Sequence, residues 1–156
     1  MRRLSRPSRV EQSLPGITWR LVEISQKISV DPDLCAGCRY CELICSFRDT
    51  QRFNPRAARI RVRRIDEEGV DTPNLCRQCD VCPCVDACPT GAFGRTSGCF
   101  MRIDAEACTE CYVCVDVCIH NAVFRPPKKG VPLVCDTCGG MPLCVGKCPT
   151  HALTIV

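Results

Sequence analysis

The stretch CAGCRYCELIC, residues 35–45, decides the fold, because it returns a cysteine at intervals of three, three and four residues. The same spacing recurs in CTECYVCVDVC, residues 108–118, and longer versions occur in CRQCDVCPCVDACP, residues 76–89, and CDTCGGMPLCVGKCP, residues 135–149. A motif repeated four times predicts four copies of one structural unit. The quartets are, in chain order, Cys35, Cys38, Cys41 and Cys45; Cys76, Cys79, Cys84 and Cys88; Cys108, Cys111, Cys114 and Cys118; and Cys135, Cys138, Cys144 and Cys148.

The spacing C-x2-C-x2-C-x3-C is the ligand pattern of bacterial ferredoxins, in which the fourth cysteine ligates the other cluster of a pair. Structural zinc also takes four thiolates, but usually from two separated C-x2-C pairs, so the third closely spaced cysteine has no role there. The quartets therefore predict four [4Fe–4S] clusters, and iron rather than zinc as the bound metal. We expect about 16 iron atoms per chain.

Two quartets that exchange their fourth ligands must meet in space. The second and third are separated by 19 residues that include strand-like GCFMRID, residues 98–104, so we pair them and let the first and fourth fold around them. Pairing of the first quartet with the second remains an alternative. The predicted sites are Cys35, Cys38, Cys41 and Cys148 (site 1); Cys45, Cys135, Cys138 and Cys144 (site 2); Cys76, Cys79, Cys84 and Cys118 (site 3); and Cys88, Cys108, Cys111 and Cys114 (site 4).

The second quartet contains an additional thiol, so either Cys82 or Cys84 could be its third ligand. The fourth quartet also has a long interval with a proline, Met141-Pro142-Leu143-Cys144, and this similarity favours Cys84. Cys82 and Cys99 are then left over, and we interpret them as thiols that pack near clusters rather than as ligands.

Composition supports a core that is partly inorganic. Cysteine accounts for 18 of 156 residues, whereas aromatic residues make up only 5%. A secreted disulfide scaffold would account for many cysteines, but the first 27 residues contain no apolar run of seven or more, and no stretch approaches the 18 apolar residues of a membrane span. We expect a cytoplasmic chain whose thiols serve metal or redox chemistry.

The formal charge of +4 suggests nucleic acid only if cofactors are ignored. Each [4Fe–4S]2+ core with four thiolates carries two negative charges, so four of them bring the total to about −4. Five Phe, two Tyr and one Trp form no base-stacking array, so nucleic-acid binding is not expected. In RFNPRAARIRVRRI, residues 52–65, alternating arginines predict a half-exposed strand, whose polar face is either simply solvated or a docking face.

No catalytic residues are predicted. Nothing in the chain resembles a nucleophile–base pair, a phosphate loop or a nucleotide fingerprint. With all four quartets ligating, no iron is left open for a substrate, so each cluster is expected to relay electrons.

Residues 27–156 resemble the four-cluster iron–sulfur subunits of multisubunit oxidoreductases. Within that group, the segments CAGCRYCELICSF, FNPRAARIRV and PNLCRQC are most similar to the small subunit of tungsten-dependent aldehyde oxidoreductases and to benzoyl-CoA reductase relatives. The resemblance implies a large partner with a tungsten-bis-pterin cofactor, and a flavin subunit that reaches a nicotinamide. Alternatives are the same role in a benzoyl-CoA reductase, formate dehydrogenase, hydrogenase or carbon monoxide dehydrogenase system, or a free ferredoxin carrier.

The predicted fold is α+β, with two ferredoxin-like dicluster modules, one inserted in the other. Residues 28–66 and 131–156 form the outer module, residues 67–130 the inner module, and residues 1–27 an N-terminal extension that serves as a partner-docking arm. Strands are expected in KISVD, RIRVR, CFMRI and ALTIV, and short helices following the third cysteine of each quartet. The arm also suggests head-to-tail association of copies into a filament.

Overall fold

The computed structural model describes residues 27–96 and 99–156, which form short strands and helices. The predicted N-terminal extension therefore lies outside the described residues, except for Lys27. The strands are β1 (Ile28–Val30), β2 (Ile60–Ile65), β3 (Val70–Leu75), β4 (Phe93–Arg95), β5 (Met101–Ile103), β6 (Val123–Phe124), β7 (Leu133–Val134) and β8 (Leu153–Ile155). The α-helices are α1 (Tyr40–Thr50), α2 (Pro83–Asp86), α3 (Val113–Asp116) and α4 (Leu143–Gly146), and 3-10 turns span Pro32–Leu34, Pro55–Ala57 and Thr137–Gly139.

Each strand pairs with one partner in an antiparallel two-stranded sheet: β1 with β8, β2 with β3, β4 with β5, and β6 with β7. The β1–β8 pairing sets Ile28 opposite Ile155, so the two ends of the described chain lie side by side. The strands predicted in KISVD, RIRVR, CFMRI and ALTIV are confirmed as β1, β2, β5 and β8. A small mixed fold of helices and strands, as predicted, is confirmed, whereas the insertion of one module into the other stays a prediction.

Two apolar clusters hold these short elements together. One is formed by β4, β5 and the strands β6 and β7, with Phe93 and Met101 almost wholly buried. The other joins β1, β2, β3 and β8, with Ile60, Leu75 and Leu153 at its centre. Cysteines pack against both clusters, so the apolar core and the thiol groups are continuous. The predicted domain boundaries are not tested by this packing and stay a prediction.

The arginine-rich strand β2 is half-exposed, as its alternation predicts. Ile60 and Val62 are buried, whereas Arg63 and Arg64 are exposed. Arg61 stacks over the Phe124 ring, with its guanidinium carbon 4.7 Å from the ring centroid. The guanidinium of Arg63 donates a 3.3 Å hydrogen bond to the backbone carbonyl of Asn121, three residues after Cys118.

The neighbouring strand β3 adds a third contact to this segment. The side-chain amide of Asn74 donates to the carbonyls of His120 and Asn121, at 3.2 and 2.9 Å. Part of the arginine face is therefore used within the chain, to hold the segment that follows Cys118. None of the helices in the described part of the chain is long and apolar enough to cross a membrane.

Candidate metal centres

The third cysteine of every quartet occupies the same position, as the second residue of a helix. Cys41 lies in α1, Cys84 in α2, Cys114 in α3 and Cys144 in α4. The first turn of a helix has backbone N–H groups that the helix itself does not satisfy, so a thiolate there has donors nearby. Cys82 lies one residue before α2, at its N-cap. This repeated position supports Cys84 as the third ligand, which stays a prediction.

The residue before each second cysteine has a left-handed backbone. The φ angles are 62° at Gly37, 53° at Gln78, 56° at Glu110 and 49° at Thr137. A residue with a side chain adopts this conformation at a cost of about 1–2 kcal/mol. The turn curls the loop around its first thiol, so that the backbone N–H of Glu110 lies 3.4 Å from the sulfur of Cys108.

The four thiols of site 4 line one cavity. Cys88, Cys108, Cys111 and Cys114 all contribute to its wall, together with Phe93 and Ile103. The pKa of the Cys114 thiol is raised to about 11, first by burial and then by the thiols of Cys108, Cys111 and Cys88. The structure therefore brings together three thiols of the third quartet and the fourth thiol of the second, the exchange that the sequence predicts.

The four thiols of site 2 also line one cavity. They are Cys45, Cys135, Cys138 and Cys144, which come from the first and fourth quartets. Burial, followed by the thiols of Cys45 and Cys138, raises the pKa of Cys144 to about 12. Sites 2 and 4 thus show the same arrangement, although their cysteines come from different pairs of quartets.

Site 3 gathers five thiols rather than four. Burial raises the pKa of Cys76 to about 12, and the nearby thiols of Cys82, Cys79 and Cys118 also raise it. Burial likewise raises the pKa of Cys84, and the thiols of Cys118 and Cys82 raise it further. The leftover Cys82 therefore lies among the predicted ligands.

Site 1 is brought together in part. Burial raises the pKa of Cys41 to about 12, and Glu42, Cys38 and Cys35 raise it as well. Cys148 is not one of the thiols that affect Cys41, but both pack against the apolar cluster of β1, β2, β3 and β8. The contribution of Cys148 to site 1 stays a prediction.

This donor set fits an iron–sulfur core. Cysteine binds metal as the thiolate, yet buried thiols with a pKa of about 12 are protonated at neutral pH unless a positive charge lies beside them. An iron–sulfur core supplies that charge, and would be held by the sixteen predicted cysteines. Among residues 27–96 and 99–156, no three His, Cys, Asp or Glu side chains have the geometry that binds a single metal ion.

Hydrogen bonds to sulfur differ among the sites. The backbone N–H groups of Arg59 and Ala122 each lie 3.3 Å from a sulfur, those of Cys45 and Cys118 respectively. At the other two fourth cysteines a hydroxyl is close as well: Thr90 Oγ1 lies 3.8 Å from Cys88 Sγ, and Thr150 Oγ1 lies 3.7 Å from Cys148 Sγ.

These contacts change the pKa of the two thiols. Burial alone would raise the pKa of Cys88, but hydrogen bonds from the backbone of Phe93 and from Thr90 outweigh it, so the pKa is lowered. Burial is outweighed at Cys148 in the same way, by the hydroxyl and backbone of Thr150 and by the backbone of Leu153. Both thiols are therefore stabilised in the charged form that binds metal.

A network of ion pairs lies against site 2. Asp136 accepts two hydrogen bonds from Arg48, at 2.8 and 3.0 Å, and one from Arg59, at 2.8 Å. Asp49 completes the network, with Arg48 Nε at 2.7 Å and Arg59 Nε at 2.9 Å. Asp136 Oδ1 also accepts from the backbone N–H of Cys138 at 3.0 Å. The network thus fastens the ligand loop of the fourth quartet to helix α1.

Burial alone would raise the pKa of Asp136, but the guanidinium of Arg48, followed by that of Arg59, holds it below its ordinary value. Neither Asp136 nor Gln78 was identified from the sequence as part of a site. Gln78 is 1% exposed, and its amide spans two chain segments. Each of these two residues lies between two closely spaced cysteines, Gln78 between Cys76 and Cys79 and Asp136 between Cys135 and Cys138. A polar residue in such a short ligand loop is the one sequence signal that could have identified them.

The thiol sites are adjacent in the order 1, 2, 3, 4. The thiol of Cys41 in site 1 raises the pKa of Cys144 in site 2, and the thiol of Cys76 in site 3 raises the pKa of Cys135 in site 2, so these thiols lie near one another. Sites 3 and 4 meet where α2 packs against α3. Two cysteines of the predicted sites are exposed, Cys38 in site 1 and Cys111 in site 4. The chain therefore presents one accessible thiol at each end of the series.

Comparison with known proteins gives a consistent result. The family model described as a 4Fe-4S binding domain matches residues 101–124. The polyferredoxin-like subunit of an aliphatic sulfonate oxidoreductase from Pyrococcus furiosus is 40% identical over 123 residues, which cover 78% of this chain and 70% of that protein. The electron transport protein HydN of Escherichia coli is 33% identical over 152 residues, covering 83% of this chain and 86% of HydN.

Among solved structures, a chain of the active site complex BamBC of benzoyl coenzyme A reductase is 29% identical, with a TM-score of 0.49, and the match covers 84% of this chain and 75% of that one. The family match and the two relatives confirm the prediction of an iron–sulfur electron-transfer subunit that is not itself catalytic. The number of clusters and the identity of the partner stay predictions.

Proposed function

The chain belongs to the family of ferredoxin-like 4Fe-4S electron-transfer subunits of oxidoreductase complexes, and from this membership we propose a specific relay. Single electrons pass through four [4Fe–4S] clusters between a tungsten-pterin aldehyde oxidoreductase subunit and a flavin subunit linked to NAD. When bound, such clusters supply one-electron steps whose potentials depend on charge, hydrogen bonds to sulfur and solvent exposure. The observation that carries the proposal is the series of four thiol sites with Cys38 and Cys111 exposed at its two ends.

The protein's own residues give the series an interior and two ends. Cys84, Cys135 and Cys144, which belong to sites 2 and 3, are buried, as is Cys114 of site 4, whereas exposed predicted ligands occur only at the ends, as Cys38 of site 1 and Cys111 of site 4. Apolar side chains around the buried thiols limit the access of water, and the access of water is one of the factors that set the redox potential of a site. A chain arranged in this way has no need of a catalytic residue, because its task is to hold groups at fixed separations.

The tungsten partner is supported by a group of neighbouring segments. The sequences CAGCRYCELICSF, FNPRAARIRV and PNLCRQC, which resemble the small subunit of tungsten enzymes, meet in the apolar cluster of β1, β2, β3 and β8, to which they contribute Ile44, Ile60 and Leu75. Glu42 of α1 accepts a 2.6 Å hydrogen bond from the backbone N–H of Val62 in β2. Three apolar side chains of this region are exposed: Leu34 (49%), Tyr40 (43%) and Phe53 (68%). We assign the docking of the tungsten subunit to this surface, beside Cys38.

Affinity purification tests the partner directly. The tagged chain is isolated without oxygen from its own cells, and the complex is analysed for iron, tungsten, pterin and flavin. We expect about 16 iron atoms per copy of this chain, together with tungsten and a flavin subunit. A complex rich in nickel or molybdenum would assign the chain to another oxidoreductase, and a lone 17 kDa protein would identify a free carrier.

Two surface variants and one control variant test the docking surface. Leu34→Asp and Phe53→Asp place charge on the proposed surface. Val156→Asp is the control, because Val156 follows β8, lies outside the proposed surface and is 70% exposed. We expect the first two variants to lose the large subunit while keeping their iron, and the third to retain both. Retention of the large subunit by all three variants would argue against this surface.

Filament formation is a separate prediction about assembly. The arm at residues 1–27 was expected to contact a neighbouring copy, and it lies outside the described residues. Deletion of residues 2–26 should reduce the particle size of the purified complex if copies associate head to tail. An unchanged size, with unchanged electron transfer to the partner, would remove the arm from the proposal.

A further inference from the structure

Site 3 is unlike the other sites because a fifth thiol lies within it. Cys82 is half-buried and packs against the same apolar cluster as Cys76, Cys84 and Cys118. Cys82 is the N-cap of α2, two residues before Cys84, and its thiol is one of those that raise the pKa of Cys84. A site that needs four thiolates therefore has five available.

The same position is occupied by other residues in the other three quartets, all of which the structure describes. The residue two places before the third cysteine is Arg39 in the first quartet, Tyr112 in the third and Pro142 in the fourth. Each is the N-cap of its helix, as Cys82 is the N-cap of α2. A thiol at the N-cap is thus a property of site 3, and not of the motif.

We propose that Cys82 is a reserve ligand of site 3, which binds iron in place of Cys84 whenever the bond between iron and Cys84 opens. The inference rests on the proposed function, because it requires the site to hold an iron–sulfur cluster. Cys82 and Cys84 are separated by one residue, Pro83, whose fixed φ keeps both thiols on the same short turn. The exchange therefore needs no rearrangement of a distant segment.

The exchange is balanced without any oxidant or reductant. One bond between iron and the Cys84 sulfur breaks, and one bond between iron and the Cys82 sulfur forms. The proton of the Cys82 thiol passes to the sulfur of Cys84, two residues away on the same turn. The number of thiolates, the charge and the electron count of the site stay the same.

A reserve ligand is useful at site 3 because of the position of that site in the series. Site 3 lies in the interior of the series, between sites 2 and 4, so its loss would separate the two ends of the relay. A thiol that recaptures iron lowers the rate at which the cluster is lost, since each opening of the bond to Cys84 is followed by a competing rebinding step.

The first experiment uses a variant that keeps every predicted ligand. The iron-loaded full chain, its Cys82→Ser variant and its Cys99→Ser variant are exposed to a ferrous chelator without oxygen, and iron release is followed by absorbance. We expect Cys82→Ser to release about 4 of its roughly 16 iron atoms about tenfold faster than the parent, and Cys99→Ser to match the parent. Equal release from Cys82→Ser and the parent would overturn the proposal.

A second experiment removes the primary ligand. Cys114→Ser takes away the equivalent thiol of α3, where the N-cap is Tyr112 and no reserve is present. We expect Cys84→Ser to bind as much iron as the parent, whereas Cys114→Ser and the double variant Cys82→Ser/Cys84→Ser bind about 4 atoms fewer. If Cys84→Ser loses as much iron as Cys114→Ser, or does not fold, Cys82 is no substitute. An iron-free parent would instead refute the proposed function itself.

Discussion

The side-chain amide of Gln78 donates a 2.7 Å hydrogen bond to the backbone carbonyl of Cys135, a residue 57 positions further along the chain. Its carbonyl oxygen accepts a second 2.7 Å hydrogen bond from the backbone N–H of Met101. Gln78 therefore connects site 3, in whose loop it lies, with site 2 and with strand β5. Because Gln78 is almost wholly buried, both backbone groups depend on it.

Gln78→Leu should lower stability strongly. A buried polar group that loses its partner costs about 1–3 kcal/mol, and two such groups are left, so we expect a loss of about 2–5 kcal/mol. The measurement is the temperature at which cluster absorbance is lost, which shifts by about 2–4 °C per kcal/mol for a chain of this size. Gln51→Leu is the matched control, because Gln51 has nearly the same backbone, φ 54° against 53°, but is exposed. A similar shift in both variants would contradict this role of Gln78.

Gly37 precedes the exposed Cys38 in the ligand loop of the first quartet, and a side chain there would meet Asp71. A Cβ built on Gly37 contacts the Asp71 carboxylate, whereas one built on Gly91 meets nothing within 4 Å. Both glycines have a positive φ, 62° and 66°, so both alanine variants incur the left-handed cost of about 1 kcal/mol. We expect Gly37→Ala to melt at a lower temperature than Gly91→Ala, by the equivalent of a further 1 kcal/mol or so.

A double variant isolates the contact with Asp71. Adding Asp71→Ala to Gly37→Ala should recover the difference between the two glycine variants, since the obstructing side chain is then gone. If the double variant is no more stable than Gly37→Ala alone, the close approach of Asp71 is not the cause.

Iron removal should unfold the chain. Sixteen thiols converge in a protein with few aromatic residues, so the bound metal contributes much of the folding free energy. We expect treatment with a chelator and an oxidant to abolish the native circular dichroism spectrum as the iron is lost. An iron-free chain with an unchanged spectrum would show that the apolar clusters suffice.

The sequence was most informative where a spacing imposes geometry. Four strands follow from short alternating runs, and the cysteine intervals predict the thiols that meet in sites 2 and 4. The intervals also predict a helix near each third cysteine, but each helix begins one residue before that cysteine rather than after it. The strands β6 and β7 could not be predicted, because two residues are too few to show alternation. Strand β3 was missed because VDTPNL contains a proline, which is tolerated here in a two-stranded sheet whose edges are free.

Side-chain contacts between distant segments could not be predicted from the sequence, for a different reason. The interactions of Gln78 and of Asp136 join segments that are separated by 57 and 88 residues. No local pattern encodes such distances, since they depend on how the quartets fold together. The same holds for Cys82: its sequence position shows an additional thiol, and only its surroundings show that it lies among ligands.

Asp136→Asn should weaken site 2 in particular. The variant keeps the size of the side chain but removes the charge that pairs with Arg48 and Arg59, which lie 2.8 Å from its oxygens. We expect a loss of about 1–3 kcal/mol, since the side chains of this network are three-quarters buried. Asp116→Asn is the control, because its 3.2 Å pair with Arg125 is exposed and such pairs contribute about 0–1 kcal/mol. Equal melting temperatures for the two variants would mean that the network does not support site 2.

The hydroxyls of Thr90 and Thr150 should raise the reduction potentials of sites 4 and 1. Each oxygen lies within 3.8 Å of the fourth cysteine of its quartet, Cys88 or Cys148. A hydrogen bond to sulfur stabilises the more negative, reduced cluster, so it shifts the potential upward. Thr90→Val and Thr150→Val keep the shape of the side chain and remove the donor. Since a contact of this length contributes roughly 0.5 kcal/mol, we expect each potential to fall by about 20 mV.

The two variants act on opposite ends of the series, which makes the prediction specific. Redox titration followed by electron paramagnetic resonance should show one signal shifted in Thr90→Val, a different signal shifted in Thr150→Val, and both shifts in the double variant. Thr154→Val, on strand β8, serves as the control and should shift neither. A common shift of all signals in every variant would point to a general change in solvation, whereas a shift of the same signal by both substitutions would contradict the assignment of Cys88 and Cys148 to different sites.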